Sequence, residues 1–252
     1  MSGPEIRRSA RPPIRHAIYL HGFASSPASS KAARFTRELA PFGVGVSCPD
    51  FNQPAFETLT VTRMLDQTAA AIAAAGPGPI ALIGSSLGAF VALHAAARER
   101  EAAAGPGGAP AKVDRLLLLA PALEFGANRL RQLGEQGIEE WRTRGSLRIF
   151  HYGFGRRADV WYELYEDAAR YDAMTLDVTW PTLVFQGTQD LSVDPAMVRE
   201  WASPRPVVDL RMVNDEHQLA ASMDEIWRES AVFFGVPARA TPSAPAAREP
   251  GR

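Results

Sequence analysis

An α/β fold, with a mostly parallel sheet covered by helices on both faces, is what this sequence predicts. Short apolar runs alternate with stretches of helical periodicity along most of the chain. The 252 residues suffice for one sizeable core, and 46% hydrophobic with 22% charged residues is ordinary for a globular protein. Only the region from Glu124 to Trp180 interrupts the alternation.

The elements follow in order. Residues 1–14 (MSGPEIRRSARPPI) are rich in Pro, Ala and Arg and lack periodicity, so they read as a disordered tail. His16 to Leu20 is the first strand, ending at His21-Gly22. A serine-rich loop (Ser25, Ser26, Ser29, Ser30) supplies turn and N-cap hydroxyls for a helix from Lys31 to Leu39. Val44 to Cys48 is the next strand and Glu57 to Ala75 the next helix. Ile80 to Ile83 and Leu87 to Arg100 form a third strand and helix, and the Gly/Pro-rich loop 102–111 leads to a strand at Arg115 to Leu119. Beyond the interruption come Thr182 to Phe185 (strand), Pro195 to Ala202 (helix), Val207 to Val213 (strand) and Leu219 to Phe234 (helix). Residues 237–252 repeat the composition of the first tail. The expected organisation is one domain over 15–236 carrying an insertion at about 124–180.

That insertion is crowded with aromatics, and so long a connection in a compact domain is usually functional. It is expected to form a cap, with Trp141, Phe150, Trp161 and Tyr165 lining or roofing an apolar cleft. The plainer alternative is a helical excursion packing its own small core.

Charge narrows the function. Lys plus Arg number 27 against 28 Asp plus Glu, a net of −1, which disfavours an electrostatic nucleic-acid binder. No like-charge block suggests a membrane-surface patch, and no segment approaches the roughly 18 apolar residues of a membrane span. Cys48 is the single cysteine, so no internal disulfide and no cysteine zinc site can form. The run Ala17 to Leu20 is too short for the apolar core of a signal peptide, and a cytoplasmic location is expected.

The chemistry begins at ALIGSSLGAF, residues 81–90. Gly84-Ser85-Ser86-Leu87-Gly88 fits G-x-S-x-G with Ser86 central, behind an apolar strand and ahead of an Ala-rich helix. A sharp strand-to-helix turn holds the central side chain exposed. Its flanking glycines avoid Cβ clashes, and the amide after the serine, that of Leu87, is aimed at a developing oxyanion. Ser85 falls one residue early and points away, so Ser86 is the candidate nucleophile.

Base and acid follow such a serine in chain order. Of the five histidines, His16 and His21 precede it, His94 faces away along the following helix, and His151 lies inside the insertion. His217, in NDEHQLA after the last strand, is the candidate base. Asp190, just beyond Gly187 at the end of the preceding strand, is the candidate acid. Asp194 precedes Pro195 and reads as a helix cap, while Asp177 and Asp215 lie near other strand ends. The second oxyanion donor is expected after the first strand, where Gly22 keeps side-chain bulk away from the amide of Phe23. His21 is expected to be structural, hydrogen-bonded beneath that loop.

With His-Gly-Phe, Gly-Ser-Ser-Leu-Gly, Asp190 and His217 in this order, the chain resembles the α/β-hydrolase superfamily. More narrowly, YLHGFASSPASSKA together with IGSSLGAF resembles the YqiA/YcfP group of small bacterial esterases, over roughly residues 16 to 234. The resemblance implies Ser86 as nucleophile, His217 as base, Asp190 as acid and the amides of Phe23 and Leu87 as an oxyanion hole. It implies a small acyl ester as substrate, cleaved through an acyl-enzyme, with no metal or organic cofactor. A thioesterase or peptidase with the same triad, and a non-catalytic binding scaffold, are the competing readings. Members of that group carry little cap, so the long insertion is a departure that bears on substrate preference.

Overall fold

The computed structural model describes residues 11–237. In chain order the elements are β1 (His16–Leu20), α1 (Ser30–Leu39), β2 (Gly45–Ser47), α2 (Val61–Ala74), β3 (Ile80–Ser85), α3 (Leu87–Ala104) and β4 (Val113–Leu119). There follow α4 (Phe125–Arg144), β5 (Ser146–His151), β6 (Arg156–Trp161), α5 (Glu163–Ala168), β7 (Thr182–Gly187), α6 (Pro195–Ala202), β8 (Val208–Val213) and α7 (Met223–Phe234). Six strands form one sheet in the order β2-β1-β3-β4-β7-β8, with every neighbouring pair parallel. This is the α/β-hydrolase architecture.

Burial explains the strand composition. Every residue of β3 and β7 is buried, as parallel strands covered on both faces must be. Alternate residues then supply two cores. Leu82, Leu116, Leu118 and Val184 face α2, α3, α6 and the insertion, while Ile83, Leu117, Leu119 and Phe185 face Phe35 of α1 and Trp227 and Phe234 of α7. Each such Leu, Ile or Phe contributes on the order of 2 kcal/mol by leaving water.

Register then sets the site. Leu20 pairs with Gly84, Ser85 with Leu119, Leu119 with Phe185, and Gly187 with Val213. The carboxyl ends of β1, β3, β4, β7 and β8 therefore finish level, and the loops after them share one edge of the sheet. The chain passes from β1 outward to β2 and back to β3 on the other side of β1, so strand order reverses there. Ligands of open parallel sheets bind at such a reversal, beyond the carboxyl ends.

Several boundaries differ from those the sequence suggests. The last helix opens at Met223 rather than Leu219, because Asp215 Oδ2 accepts the Ser222 amide (2.8 Å) and Leu219 takes φ 54°. The second helix opens at Val61 behind a Thr60 N-cap, preceded by a separate 3-10 turn at Phe56–Thr58. Residues 1–10 and 238–252 of the two expected tails lie outside the described residues. Residues 11–14 dock on the body instead of forming tail. Ile14 is buried and its amide donates to Phe234 O (3.1 Å), Arg115 Nη2 donates to Pro12 O (2.8 Å), and Arg11 pairs with Asp114 (2.8 Å).

The insertion comprises α4, bent where Gly134 takes φ 68° and ψ 172°, an antiparallel β5–β6 hairpin, and α5. The four aromatics expected there, Trp141, Phe150, Trp161 and Tyr165, do not line the cleft beside Ser86. Trp141 is 2% exposed, donates from Nε1 to Val160 O (3.1 Å) and meets Tyr162 edge-on, with Tyr165 against its ring. Phe150 and Trp161 are half exposed. These four side chains pack the insertion's own core or its outer face. No helix among the described residues is long and apolar enough to cross a membrane.

Candidate active site

Ser86 sits between β3 and α3 with φ 54° and ψ −116°, a conformation that costs a non-glycine residue on the order of 1–3 kcal/mol. The glycines make the turn possible. A Cβ on Gly84 would stand 2.4 Å from Ala89 Cα, and one on Gly88 would stand 1.9 Å from Leu20 O. The loop after β1 lies on this turn, since a Cβ on Gly22 would reach Ser85 O at 3.1 Å and Ser86 Cβ at 3.3 Å. The Gly22-Phe23 segment and the first turn of α3, which begins at Leu87, therefore meet beside the Ser86 side chain. His217 meets the hydroxyl of Ser86 and not that of Ser85, which lies beside the buried Tyr19 phenol.

His217 reaches over the strand ends between them. Its Nε2 is 3.1 Å from Ser86 Oγ and its Nδ1 is 2.8 Å from Asp190 Oδ2. Asp190 is almost fully buried, and Oδ1 accepts the amides of Ser192 (2.8 Å) and Val193 (2.9 Å) while Oδ2 also accepts from Gln186 Nε2 (3.0 Å). Burial alone would push its pKa up. The bond and charge of His217, with the Val193 amide and Gln186, outweigh burial and hold the carboxyl below its ordinary value. A carboxylate only accepts, so His217 carries its proton on Nδ1 and presents Nε2 as the acceptor for the Ser86 hydroxyl.

Backbone fixes the two loops against each other. Gln189 N donates to Asp215 O (3.0 Å) and Thr188 N to Val213 O (2.8 Å). A Cβ on Gly187 would come within 2.4 Å of Asp215 O, so only glycine allows this approach. The other carboxylates are engaged elsewhere. Asp194 caps α6 through the Ala196 amide (2.8 Å), Asp215 braces the His217 loop through the amides of Glu216 and Ser222, and exposed Asp177 lies 3.5 Å from Arg100.

His21 lies beneath the first loop. The Phe51 amide donates to Nε2 (3.1 Å), which leaves Nδ1 to donate to Gly22 O (3.0 Å). Burial lowers its pKa and outweighs the Gly22 bond and nearby Asp50, so the ring stays neutral. His94 packs between Phe90 and Tyr171, its pKa lowered to about 4 by burial. His151 is buried in the insertion, where it accepts from the Phe154 amide (3.1 Å) and bonds Asn52 Oδ1 (3.0 Å). His16 contacts Ser47 Oγ at 3.0 Å on the far side of β1.

A cleft of about 530 Å³ opens at Ser86 and His217, bordered by Phe23, Lys31 and Gln218. From the insertion it takes Phe125, Gln132 and Tyr152. Sequence reasoning did not single out Gln186 or Lys31. A buried amide at the end of the apolar run TLVFQ is the signal for Gln186, and a lysine opening a helix directly after a serine-rich loop is the signal for Lys31.

A family model described as "Uncharacterised protein family (UPF0227)" matches residues 16–234. No curated protein is a match for the sequence. Among solved structures, the fold is similar to a putative hydrolase from Agrobacterium vitis S4 (TM-score 0.76, 24% identity, 88% of each chain covered). It is similar to mouse alpha/beta hydrolase domain-containing protein 10 (TM-score 0.70, 20% identity, 87% of this chain and 90% of that one). It also resembles Est1E from Butyrivibrio proteoclasticus (TM-score 0.66, 18% identity, 90% and 88% covered). At these identities the likeness is one of fold.

Proposed function

The chain belongs to the UPF0227 family, and from that membership and the α/β-hydrolase fold we propose that it is a serine esterase. The observation that carries the reading is the single hydrogen-bonded line from Ser86 Oγ through His217 to buried Asp190. That line opens onto a cleft at the reversal of strand order.

The mechanism follows from the donors and acceptors. His217 Nε2 takes the Ser86 hydroxyl proton as Oγ attacks the ester carbonyl carbon, and Asp190 stabilises the imidazolium that forms. Negative charge gathers on the carbonyl oxygen, where the amides of Phe23 and Leu87 receive it. Losing one such donor costs on the order of 3 kcal/mol. The His217 proton leaves with the alcohol, the acyl group stays on Oγ, and water deprotonated by His217 releases the acid.

Hydrolase and esterase neighbours support acyl transfer, while the leaving group is set by the cleft. Thioesters and amides use the same machinery, so they are the second reading. A pure binding scaffold has no use for all three groups in line. We read the working partner as a small acyl ester and the setting as cytoplasmic, consistent with the single cysteine. The test is covalent labelling by a fluorophosphonate probe, followed by hydrolysis of p-nitrophenyl esters of increasing chain length beside acyl-CoA thioesters. Labelling at Ser86 with ester turnover supports the proposal. A folded protein that neither labels nor hydrolyses any of these sinks it.

A further inference from the structure

Lys31 is the feature of the cleft that ester cleavage does not require. It stands on the first turn of α1 and borders the cavity with Ser86, His217 and Gln218. Its Nζ donates to Gln218 Oε1 at 3.2 Å, the residue next to His217. Among the described residues it forms no ion pair. The two carboxylates whose fields reach it are Asp215 and Asp190, and both are committed. Asp190 accepts from His217, Gln186 and two amides, and Asp215 accepts the amides of Glu216 and Ser222.

A lysine usually lays its stem on the protein and keeps its ammonium in water. Here burial pushes the ammonium pKa down to about 8 despite the pull of Asp215 and Asp190. A bond to one neutral amide does not offset that desolvation, and a glutamine would serve Gln218 at lower cost. The rest of the wall has the same sign. Ser29 caps α1 through the Ala32 amide (3.4 Å), no acidic residue sits in that first turn, and Ser29 and Ser30 both border the cavity. The positive end of the helix dipole therefore faces the same space as Lys31.

We propose that the esters cleaved at Ser86 carry a carboxylate, bound by Lys31 with Gln218 beside it, an inference that rests on the esterase reading. A single ammonium flanked by neutral hydroxyl and amide groups matches one negative charge. The carboxylate pairs with the half-buried cation and positions the scissile carbonyl over Ser86.

Matched ester pairs test this. Mono-p-nitrophenyl adipate against its methyl ester places the charge on the acyl side, and the butyrate ester of glycolate against that of methyl glycolate places it on the alcohol side. Wild-type kcat/KM should favour the charged member of at least one pair by roughly tenfold or more, the scale of one charge-assisted hydrogen bond. Lys31→Met should bring that ratio near one, and Lys31→Arg should restore much of it. A wild-type ratio at or below one in both pairs overturns the inference without any variant, and so does a preference that survives Lys31→Met. Hydrolysis of neutral and charged esters alike leaves the esterase reading standing while this one falls. Loss of all hydrolysis together with fluorophosphonate labelling removes both.

Discussion

His217 Nδ1 lies 2.8 Å from an Asp190 oxygen, and that carboxylate is 4% exposed with both oxygens bonded. Asparagine at 190 would keep the shape but offer an amide where His217 needs an acceptor, favouring the wrong tautomer. Asp190→Asn is expected to lower turnover at least about a hundredfold; loss in a well-studied triad reaches roughly four orders of magnitude. Asp194→Asn removes charge from a helix cap and should cost about 1 kcal/mol or less of stability. Steady-state kinetics and melting curves of the two variants decide it, and a larger turnover loss at Asp194 would reverse the assignment.

Ser86 and Ser85 are adjacent but face different partners. Ser86→Ala should abolish ester hydrolysis and probe labelling with the fold intact. Ser86→Gly should be equally inactive and melt no lower than Ser86→Ala, because glycine accepts φ 54°, ψ −116° without the strain a side chain meets there. Ser85→Ala should keep a large part of the activity, since His217 meets Ser86 Oγ and not Ser85. Equal activities for Ser85→Ala and Ser86→Ala would mean that the turn has been misread.

How much of this was legible in sequence varies by physical origin. The sheet was readable because β3 and β7 carry the unbroken apolar runs Ile80–Ile83 and Leu183–Phe185, which parallel strands buried on two faces require. The Ser86 turn was readable because Gly84 and Gly88 answer to backbone approaches that no side chain survives. Long-range pairings left weaker marks. Residues 11–14 look like tail in composition, yet they are held by buried Arg115, distant in sequence. The aromatics of 124–180 announced a need to be buried but not against what, and Trp141 found Val160 and Tyr162 rather than the cleft. Gln186 gave only its polarity, since its partner Asp190 is fixed by the loop that follows.

Lys31 should also be visible in the pH dependence of stability. Its folded pKa, about 8, lies below the ordinary value of 10.5, so between these values the unfolded chain binds more protons than the folded one. Stability from this group therefore rises as pH climbs through that window, by on the order of 2 kcal/mol. Cys48, raised to about 12 by burial, and Tyr19, also raised, contribute the opposite slope above pH 9 or so. The informative quantity is the difference between wild type and Lys31→Met, in which those slopes cancel. Denaturant unfolding from pH 7 to 10 should show wild type gaining relative to the variant. A difference that stays flat with pH would mean that the ammonium is not desolvated in the fold.

The final expectation separates the two jobs of the insertion. Trp141 is buried between α4 and the hairpin, so Trp141→Ala should cost about 3 kcal/mol or more, lowering the melting temperature by roughly 6–12 °C. Because it borders no part of the cleft, the relative rates on short and long acyl esters should hardly change. Tyr152 is the reverse case. It is 78% exposed, at the turn between β5 and β6, and its side chain reaches the cleft mouth. Tyr152→Ala should alter stability by no more than about 0.5 kcal/mol. It should also raise KM several-fold for acyl chains long enough to reach the mouth, with little effect on the shortest. Phe125 joins the two roles, packing on Phe23 and Phe90 while bordering the cleft, so Phe125→Ala should move both readouts. Chain-length profiles and melting curves for the three variants check this. If Trp141→Ala reshapes the profile while Tyr152→Ala leaves it untouched, the substrate lies under α4 rather than at the hairpin turn.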